Sequence, residues 1–418
     1  MPGLILAAPA SGAGKTTITL GLLRAFRDRG TRVRGAKSGP DYIDPRFHEA
    51  ATGAPCPNLD AWAMDRGVLA GLAAGPDLLL IEGAMGLFDG APPDGRGAVA
   101  DLARHMKLPV LLVVDAARMA QSIAPLVTGF ARHDPAVSVA GVILNRIGSL
   151  RHIEMLRAAC PLPVLGAVPR DADLALPSRH LGLVQAAERA DLDTFLEKAG
   201  AKMARYLDLD AIAALAVPLP EAPPPHLTPP AQRIAVASDA AFAFAYPHLL
   251  QTWRRAGAEI AFFSPLADEA APAADLIYLP GGYPELHAGR LAASTAFLTS
   301  LKGRDVYGEC GGFMVIGDGL IDADGARHAM AGLLRLETSF AERRLHLGYR
   351  RLHATEGPFT GPWNGHEFHY ATTLRADGAP LFAARDAAGD DLPPMGLRNG
   401  AANGSFAHLI WPSAPSAM

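Results

Sequence analysis

Gly3-Leu-Ile-Leu-Ala-Ala-Pro-Ala-Ser-Gly-Ala-Gly-Lys-Thr-Thr17 decides the fold of the first half of this chain. A short apolar run that opens into small residues and then Gly-Lys-Thr predicts a strand, a tight loop and a helix. Pro9 to Thr16 comes close to the phosphate-loop pattern G-x-x-x-x-G-K-[ST], with Pro9 where the first glycine normally stands. In such a loop, successive backbone N–H groups and a helix N-terminus face an anion. Ser11, Gly12, Ala13, Gly14, Lys15, Thr16 and Thr17 are therefore the expected contacts to ATP. Lys15 would reach the outer phosphates and the Thr16 hydroxyl would take Mg²⁺.

A metal between phosphates needs hard oxygen ligands. Glu82 ends the apolar run Leu78 to Ile81, which places it at the carboxyl edge of a buried strand, where open α/β sheets bind ligands. Asp41 and Asp44, in Gly39-Pro-Asp-Tyr-Ile-Asp-Pro45, and Asp89, in Leu87-Phe-Asp-Gly90, are further carboxylates in the same half, each equally readable alone as a loop cap.

Working outward, Pro109 to Val114 and Val139 to Leu144 repeat the short apolar run, separated by helix-length amphipathic segments. That rhythm is a parallel sheet with helices on both faces. Residues 216–232 read AVPLPEAPPPHLTPPAQ, and closely spaced prolines bias the chain to extended conformations. A linker is expected there, between an ATP-binding domain over 1–215 and a second domain over 233–418. Arg233 to Ser238, Ala258 to Phe263, Asp275 to Pro280 and Arg304 to Glu309 begin a second α/β alternation.

In that second half, Asp305-Val-Tyr-Gly-Glu-Cys-Gly-Gly-Phe313 puts Cys310 between small residues where a strand turns into a helix. Glycines permit a strained turn, and a helix N-terminus is expected to lower the thiol pKa. Cys310 is the candidate nucleophile, and Cys56 and Cys160 lack such a setting. His408, in Asn403-Gly-Ser-Phe-Ala-His408, is the candidate base. The turn Leu279-Pro-Gly-Gly-Tyr-Pro284 supplies Gly281 and Gly282 for an oxyanion hole, together with Gly311. Gly365-His-Glu-Phe-His-Tyr370 has the spacing H-E-x-H, not the H-E-x-x-H of a helical zinc site, and is read as a substrate-facing strand.

Bulk properties exclude other classes. Half the residues are hydrophobic and 19% are charged, enough to bury two cores. A formal net charge of -4 gives no field for nucleic acid or an anionic membrane. The opening residues lack a signal-peptide core, no apolar stretch reaches the ~20 residues of a membrane span, and a cytoplasmic protein is expected. A partition-type ATPase switch would carry an extra lysine where Ala10 stands.

In order along the chain, APASGAGKTT, KSGPDYIDP, IEGAMGLFDG, LPGGYPE, GECGGF, GHEFHY and NGSFAHL resemble the cobyrinic acid and hydrogenobyrinic acid a,c-diamide synthases of cobalamin biosynthesis. The resemblance implies a first domain similar to dethiobiotin synthetase and a second similar to the triad glutamine amidotransferases. It implies ligation of two ammonia units, drawn from L-glutamine, onto the a and c acetates of a corrinoid at the expense of ATP, by a homodimer. Thr16, Asp44 and Glu82 are the implied Mg²⁺ ligands, Asp41 and Asp89 further polar groups of that site, and Tyr42 a substrate contact. Cobyric acid synthase and a nickel-tetrapyrrole diamide synthase are the neighbouring alternatives. The triad motif H-x-E is broken, since Leu409 and Ile410 follow His408, so a Cys-His dyad is implied and the group that orients His408 is open. Arg343, Arg344, Arg350 and Arg351 are a candidate cradle for the substrate's carboxylates.

Overall fold

The structure, a computed structural model, describes residues 2–174, 178–179 and 182–413. The chain divides into two compact units, Met1–Pro225 and His226–Met418, a division that falls inside the Pro-rich stretch.

The first unit is built on an eight-stranded sheet. Its main path runs Asn58–Leu59, Val33–Ser38, Leu78–Glu82, Pro2–Ala7, Val110–Asp115, Val139–Ile147 and Val164–Pro169. Every pairing along that path is parallel. Leu4, Ile5, Leu6 and Ala7 are wholly buried, as a strand covered on both faces requires, which is why the run is continuously apolar. Part of the Pro-rich stretch belongs here, because Val217–Pro218 pairs antiparallel with Pro2 and Gly3. The helix Lys15–Asp28 buries Ile18, Leu22, Leu23 and Phe26 along one stripe. It starts from Gly14, whose φ of 89° lies in the left-handed region that favours glycine. Register sets Glu82 beside Leu6 on one side and Lys37 on the other, so three strand ends converge at the carboxyl edge behind the phosphate loop.

The second unit opens with a six-stranded sheet: Glu259–Phe263, Arg233–Ala237, Leu276–Leu279, Val306–Glu309, Ala402–Ser405 and Leu397–Asn399. Only its last pairing is antiparallel. A five-stranded antiparallel sheet follows the path Asp391–Met395, Phe382–Arg385, His346–Ala354, Gly361–His369 and Ala407–Pro412. The chain leaves the parallel sheet at Ser405, passes through Phe406, and enters the antiparallel sheet at Ala407. Glu309 pairs with Ser405 in the first sheet and His408 with His366 in the second. That one-residue crossing brings the strand-end cysteine and the histidine together.

Candidate functional site

In the first unit the phosphate loop is braced from below. Asn145 donates from Nδ2 to the Ala13 carbonyl at 2.8 Å. Lys15 Nζ donates to the Met85 carbonyl at 2.6 Å, and Ser11 Oγ lies 3.6 Å from Met85 Sδ. Thr17 donates to the Leu174 carbonyl at 3.3 Å. Burial, and after it the neighbouring Lys37 charge, lowers the Lys15 ammonium to about 8.

Behind the loop is a buried network centred on Glu82, which is 0% exposed. Thr16 Oγ1 donates to Glu82 Oε1 at 2.6 Å. Lys37 Nζ donates to the same oxygen at 2.9 Å and to Asp44 Oδ2 at 2.6 Å, with Asp41 Oδ2 at 3.9 Å. His48 Nε2 meets the other Glu82 oxygen at 2.7 Å. Burial alone would depress the Lys37 ammonium, but Asp44, Glu82 and Asp41 together hold it well above its ordinary value. Burial likewise works against the Glu82 carboxylate, and Lys37 and His48 overcome it, keeping it far below the usual range. Asp44 goes the other way, pushed up to about 7 by burial and by Asp41.

Sequence reasoning missed Lys37 and His48. Lys37 sits on the short mixed run Val33-Arg-Gly-Ala-Lys-Ser38, whose charges hide a buried parallel strand. The signal was available: a lysine two residues before Gly39 at a strand end, in the half that also carries Glu82. Asp41 Oδ1 accepts from the backbone N–H of Ile43 and of Asp44, closing the turn that leads into helix Asp44–Thr52. Asp89 accepts from the Gly86 N–H at 3.0 Å. Tyr42 is 3% exposed, so only a sliver of its ring faces outward for a substrate contact.

In the second unit, Cys310 has φ 47° and ψ −105°, a strained corner between strand Val306–Glu309 and helix Gly311–Val315. Cys310 N donates to the Ser405 carbonyl at 2.8 Å, tying the corner to the strand that leads to His408. Gly281 lies between Cys310 and His408. A Cβ there would stand 2.4 Å from His408 Cε1, 3.0 Å from Nε2 and 3.2 Å from Cys310 Cβ. A Cβ on Gly311 would stand 3.1 Å from the Gly282 nitrogen, so the expected oxyanion donors are neighbours.

The expectation of a lowered thiol pKa is corrected. Burial, followed by the Glu285 charge, pushes Cys310 well above its ordinary value, and the backbone N–H of Gly311 offsets only part of this. The helix has five residues, too few turns for a strong terminal field. His408 is lowered to about 3 by burial, then by His366 and His369. Both shifts favour the uncharged thiol and imidazole. Cys56 is buried with its thiol raised by burial and Glu49, and Cys160 is raised by burial, in keeping with structural roles.

Strand Gly361–His369 lies directly against the His408 strand, and the Phe368 carbonyl is 3.9 Å from Cys310 Sγ. His346, Glu367 and His369 have ligand atoms within 4.8 Å of one another. Arg350 already grips Glu367, with Nε at 2.9 Å and a second nitrogen at 2.7 Å, and His369 Nε2 is 3.0 Å away. Arg350 and His369 thus join Glu367 in one hydrogen-bond network. The same pairing removes Arg350 from the candidate arginine cradle. Arg343, Arg344 and Arg351 are exposed.

Among the described residues, no helix is long and apolar enough to cross a membrane. Residues 4–184 match the model of the CobQ/CobB/MinD/ParA nucleotide binding domain, and residues 233–415 that of the CobB/CobQ-like glutamine amidotransferase domain. A hydrogenobyrinate a,c-diamide synthase of Brucella anthropi is 55% identical, covering 98% of both chains. Those of a Sinorhizobium species and of Rhodobacter capsulatus are each 54% identical, over 98% of this chain and 99% and 98% of theirs. With identity this high along nearly its whole length, the chain belongs to the family of hydrogenobyrinate a,c-diamide synthases.

Proposed function

We propose that this chain amidates the a and c acetate carboxylates of hydrogenobyrinic acid, using ATP in the first unit and ammonia from L-glutamine in the second. The observation that carries the reading is the pairing, in one chain, of a phosphate loop backed by buried carboxylates with a strained cysteine corner set against a buried histidine. A carboxylate is a poor electrophile, and transfer of the γ-phosphoryl group makes it an acyl phosphate that ammonia can displace.

Behind the loop Thr16, Asp44 and Glu82 present oxygens, which suit Mg²⁺, beside the nitrogens of Lys37 and His48. Thr16, Asp44 and Glu82 would hold the ion, which supplies positive charge for the phosphates. The Lys15 ammonium neutralises charge on the outer phosphates, while the backbone N–H groups from Ser11 to Thr17 fix them in place. Lys37 holds Asp44 and Glu82 together; Asp41 and Asp89 shape the adjoining loops. Tyr42 is a lesser contact, restricted by its burial.

In the second unit Cys310 Sγ attacks the glutamine side-chain carbonyl. His408 takes the thiol proton and passes it to the departing nitrogen, which leaves as ammonia. The N–H groups of Gly282 and Gly311, with the Gly281 peptide, stabilise the tetrahedral oxyanion. Water then releases glutamate from the thioester.

The test is incubation of the purified protein with hydrogenobyrinic acid, ATP and glutamine, counting added amides by mass. Two are expected. Cys310→Ala should abolish the glutamine-fed reaction and leave the ammonium-fed one. Product with cobyrinic acid or a nickel tetrapyrrole but none with hydrogenobyrinic acid would replace the substrate assignment. A homodimer is expected in sedimentation.

A further inference from the structure

An imidazole that accepts a thiol proton needs a partner that fixes its tautomer and balances its charge. Two residues after His408, where an H-x-E motif would put a carboxylate, stands Ile410, buried, with its carbonyl held by His248 Nε2 at 3.0 Å. A carboxylate reaches the imidazole from another element. Glu309, the residue before the nucleophile, has Oε2 3.7 Å from His408 Nδ1. Both residues are within 1% of complete burial.

The carboxylate is held in that place. Its Oε2 accepts from the Tyr278 hydroxyl at 2.7 Å, and its Oε1 accepts from the backbone N–H of Leu409, the residue after His408, at 3.1 Å. Strand pairing of Glu309 with Ser405 fixes the backbone on the same side. A buried glutamate supported only by neutral donors is costly. Next to an imidazole that must become cationic, it has a purpose. At 3.7 Å the resting contact is electrostatic, and a movement of under ~1 Å makes it a hydrogen bond, as catalytic contacts tighten on substrate binding.

We propose that Glu309 is the positioning carboxylate of the glutaminase pair, holding the His408 proton on Nδ1 so that Nε2 receives the Cys310 proton. As Sγ bonds the glutamine carbonyl carbon, the thiol proton moves to Nε2, and Glu309 balances the imidazolium. When the C–N bond breaks, that proton leaves with the nitrogen as ammonia. The inference rests on the reading of Cys310 and His408 as nucleophile and base.

Groups that titrate near this pair are Tyr278 on the adjoining strand, Tyr307 on Glu309's own strand, Tyr246 against the His408 ring, and His366 and His369 on the next strand. Cys310 faces the pair too, and feels Glu285 and Glu367 besides Glu309. Burial pushes Glu309 up to about 7, against the lowering pull of Leu409 N–H, Tyr278 and Tyr307. Below that pH the carboxyl keeps its proton and cannot balance the imidazolium, so glutaminase activity declines on the acid side.

The experiment is the pH profile of glutamine hydrolysis for the full chain and its Glu309→Gln, Glu309→Asp and Tyr278→Phe variants. Glu309→Gln presents an NH₂ to Nδ1, favours the wrong tautomer, and is expected to cut kcat about 10²- to 10⁴-fold, the range for such a change in a hydrolytic triad, and to erase the acid limb. Glu309→Asp should recover part of the rate. Tyr278→Phe removes a donor to the carboxylate and should move the acid limb to higher pH, a readout available even if Glu309→Gln folds poorly. A Glu309→Gln enzyme within threefold of the parent, or a Tyr278→Phe limb that stays in place, overturns the assignment. Glutamine hydrolysis persisting in Cys310→Ala would instead bring down the underlying reading of the pair.

Discussion

Replacing Gly281 by alanine tests the placement of the base most directly. The added methyl would stand 2.4 Å from His408 Cε1 and 3.2 Å from Cys310 Cβ, whereas carbon atoms rest about 3.5–4.0 Å apart. Relief requires the imidazole to retreat by about 1 Å, since the other contact is to the fixed corner of the nucleophile. A displacement of that size can cost about 10²-fold in rate, equivalent to about 2.7 kcal/mol of barrier. The accompanying overpacking should lower stability by about 1–3 kcal/mol. Glutamine hydrolysis and ammonium-fed amidation are assayed on the same preparation. Hydrolysis should fall about 100-fold, mostly in kcat, while the ammonium-fed reaction stays near the parent's. Hydrolysis within threefold of the parent, in a protein of unchanged Tm, would refute the positions assigned to His408 and Cys310.

Lys37→Met leaves Glu82 and Asp44 buried without their cation, a loss of about 3–5 kcal/mol for a broken buried pair and on the order of 10 °C in Tm for a unit of this size; calorimetry should show Mg²⁺ raising the variant's Tm more than the parent's. Asn145→Ala removes the hydrogen bond under Ala13 and should weaken ATP binding several-fold in equilibrium titration, with little effect on glutamine hydrolysis. His248, His366 and His408 are all buried and lowered to about 4, 4 and 3. Above about pH 6.5 they are neutral in both states. As the pH falls from there toward 4, the unfolded chain binds protons that the folded one refuses, so stability drops by up to about 1.4 kcal/mol per pH unit for each. Acid titration followed by tryptophan fluorescence should show this loss, and His248→Gln should reduce its slope by about one proton.

Much of this was legible in the sequence, for physical reasons. Parallel strands buried on both faces must be continuous apolar runs, so Gly3 to Ala8 and Leu78 to Ile81 announced the strands Pro2–Ala7 and Leu78–Glu82 within a residue. Glu82, Cys310 and Gly281 follow from strand ends and Gly-rich turns, which local pattern reveals. Lys37 and His48 did not, because what makes them part of a site is burial against Glu82 from two other elements. Nor did the partner of His408: Glu309 is 99 residues away, and only strand pairing brings it to the ring. The thiol's raised pKa was misjudged because a helix start is visible in sequence, whereas its five-residue length and the surrounding burial are not.

The single residue Phe406 separates a strand of one sheet from a strand of another, and its ring stacks on His369 at 4.0 Å and meets Phe313 edge-on at 5.2 Å. Insertion or loss of one residue at this crossing would turn the imidazole to the opposite side of its sheet, away from the sulfur. The second unit therefore has no half-built working form. On the proposed chemistry, glutamine hydrolysis reports whether the two sheets have docked in register, and intermediates in folding should be silent toward glutamine until the last strand is seated.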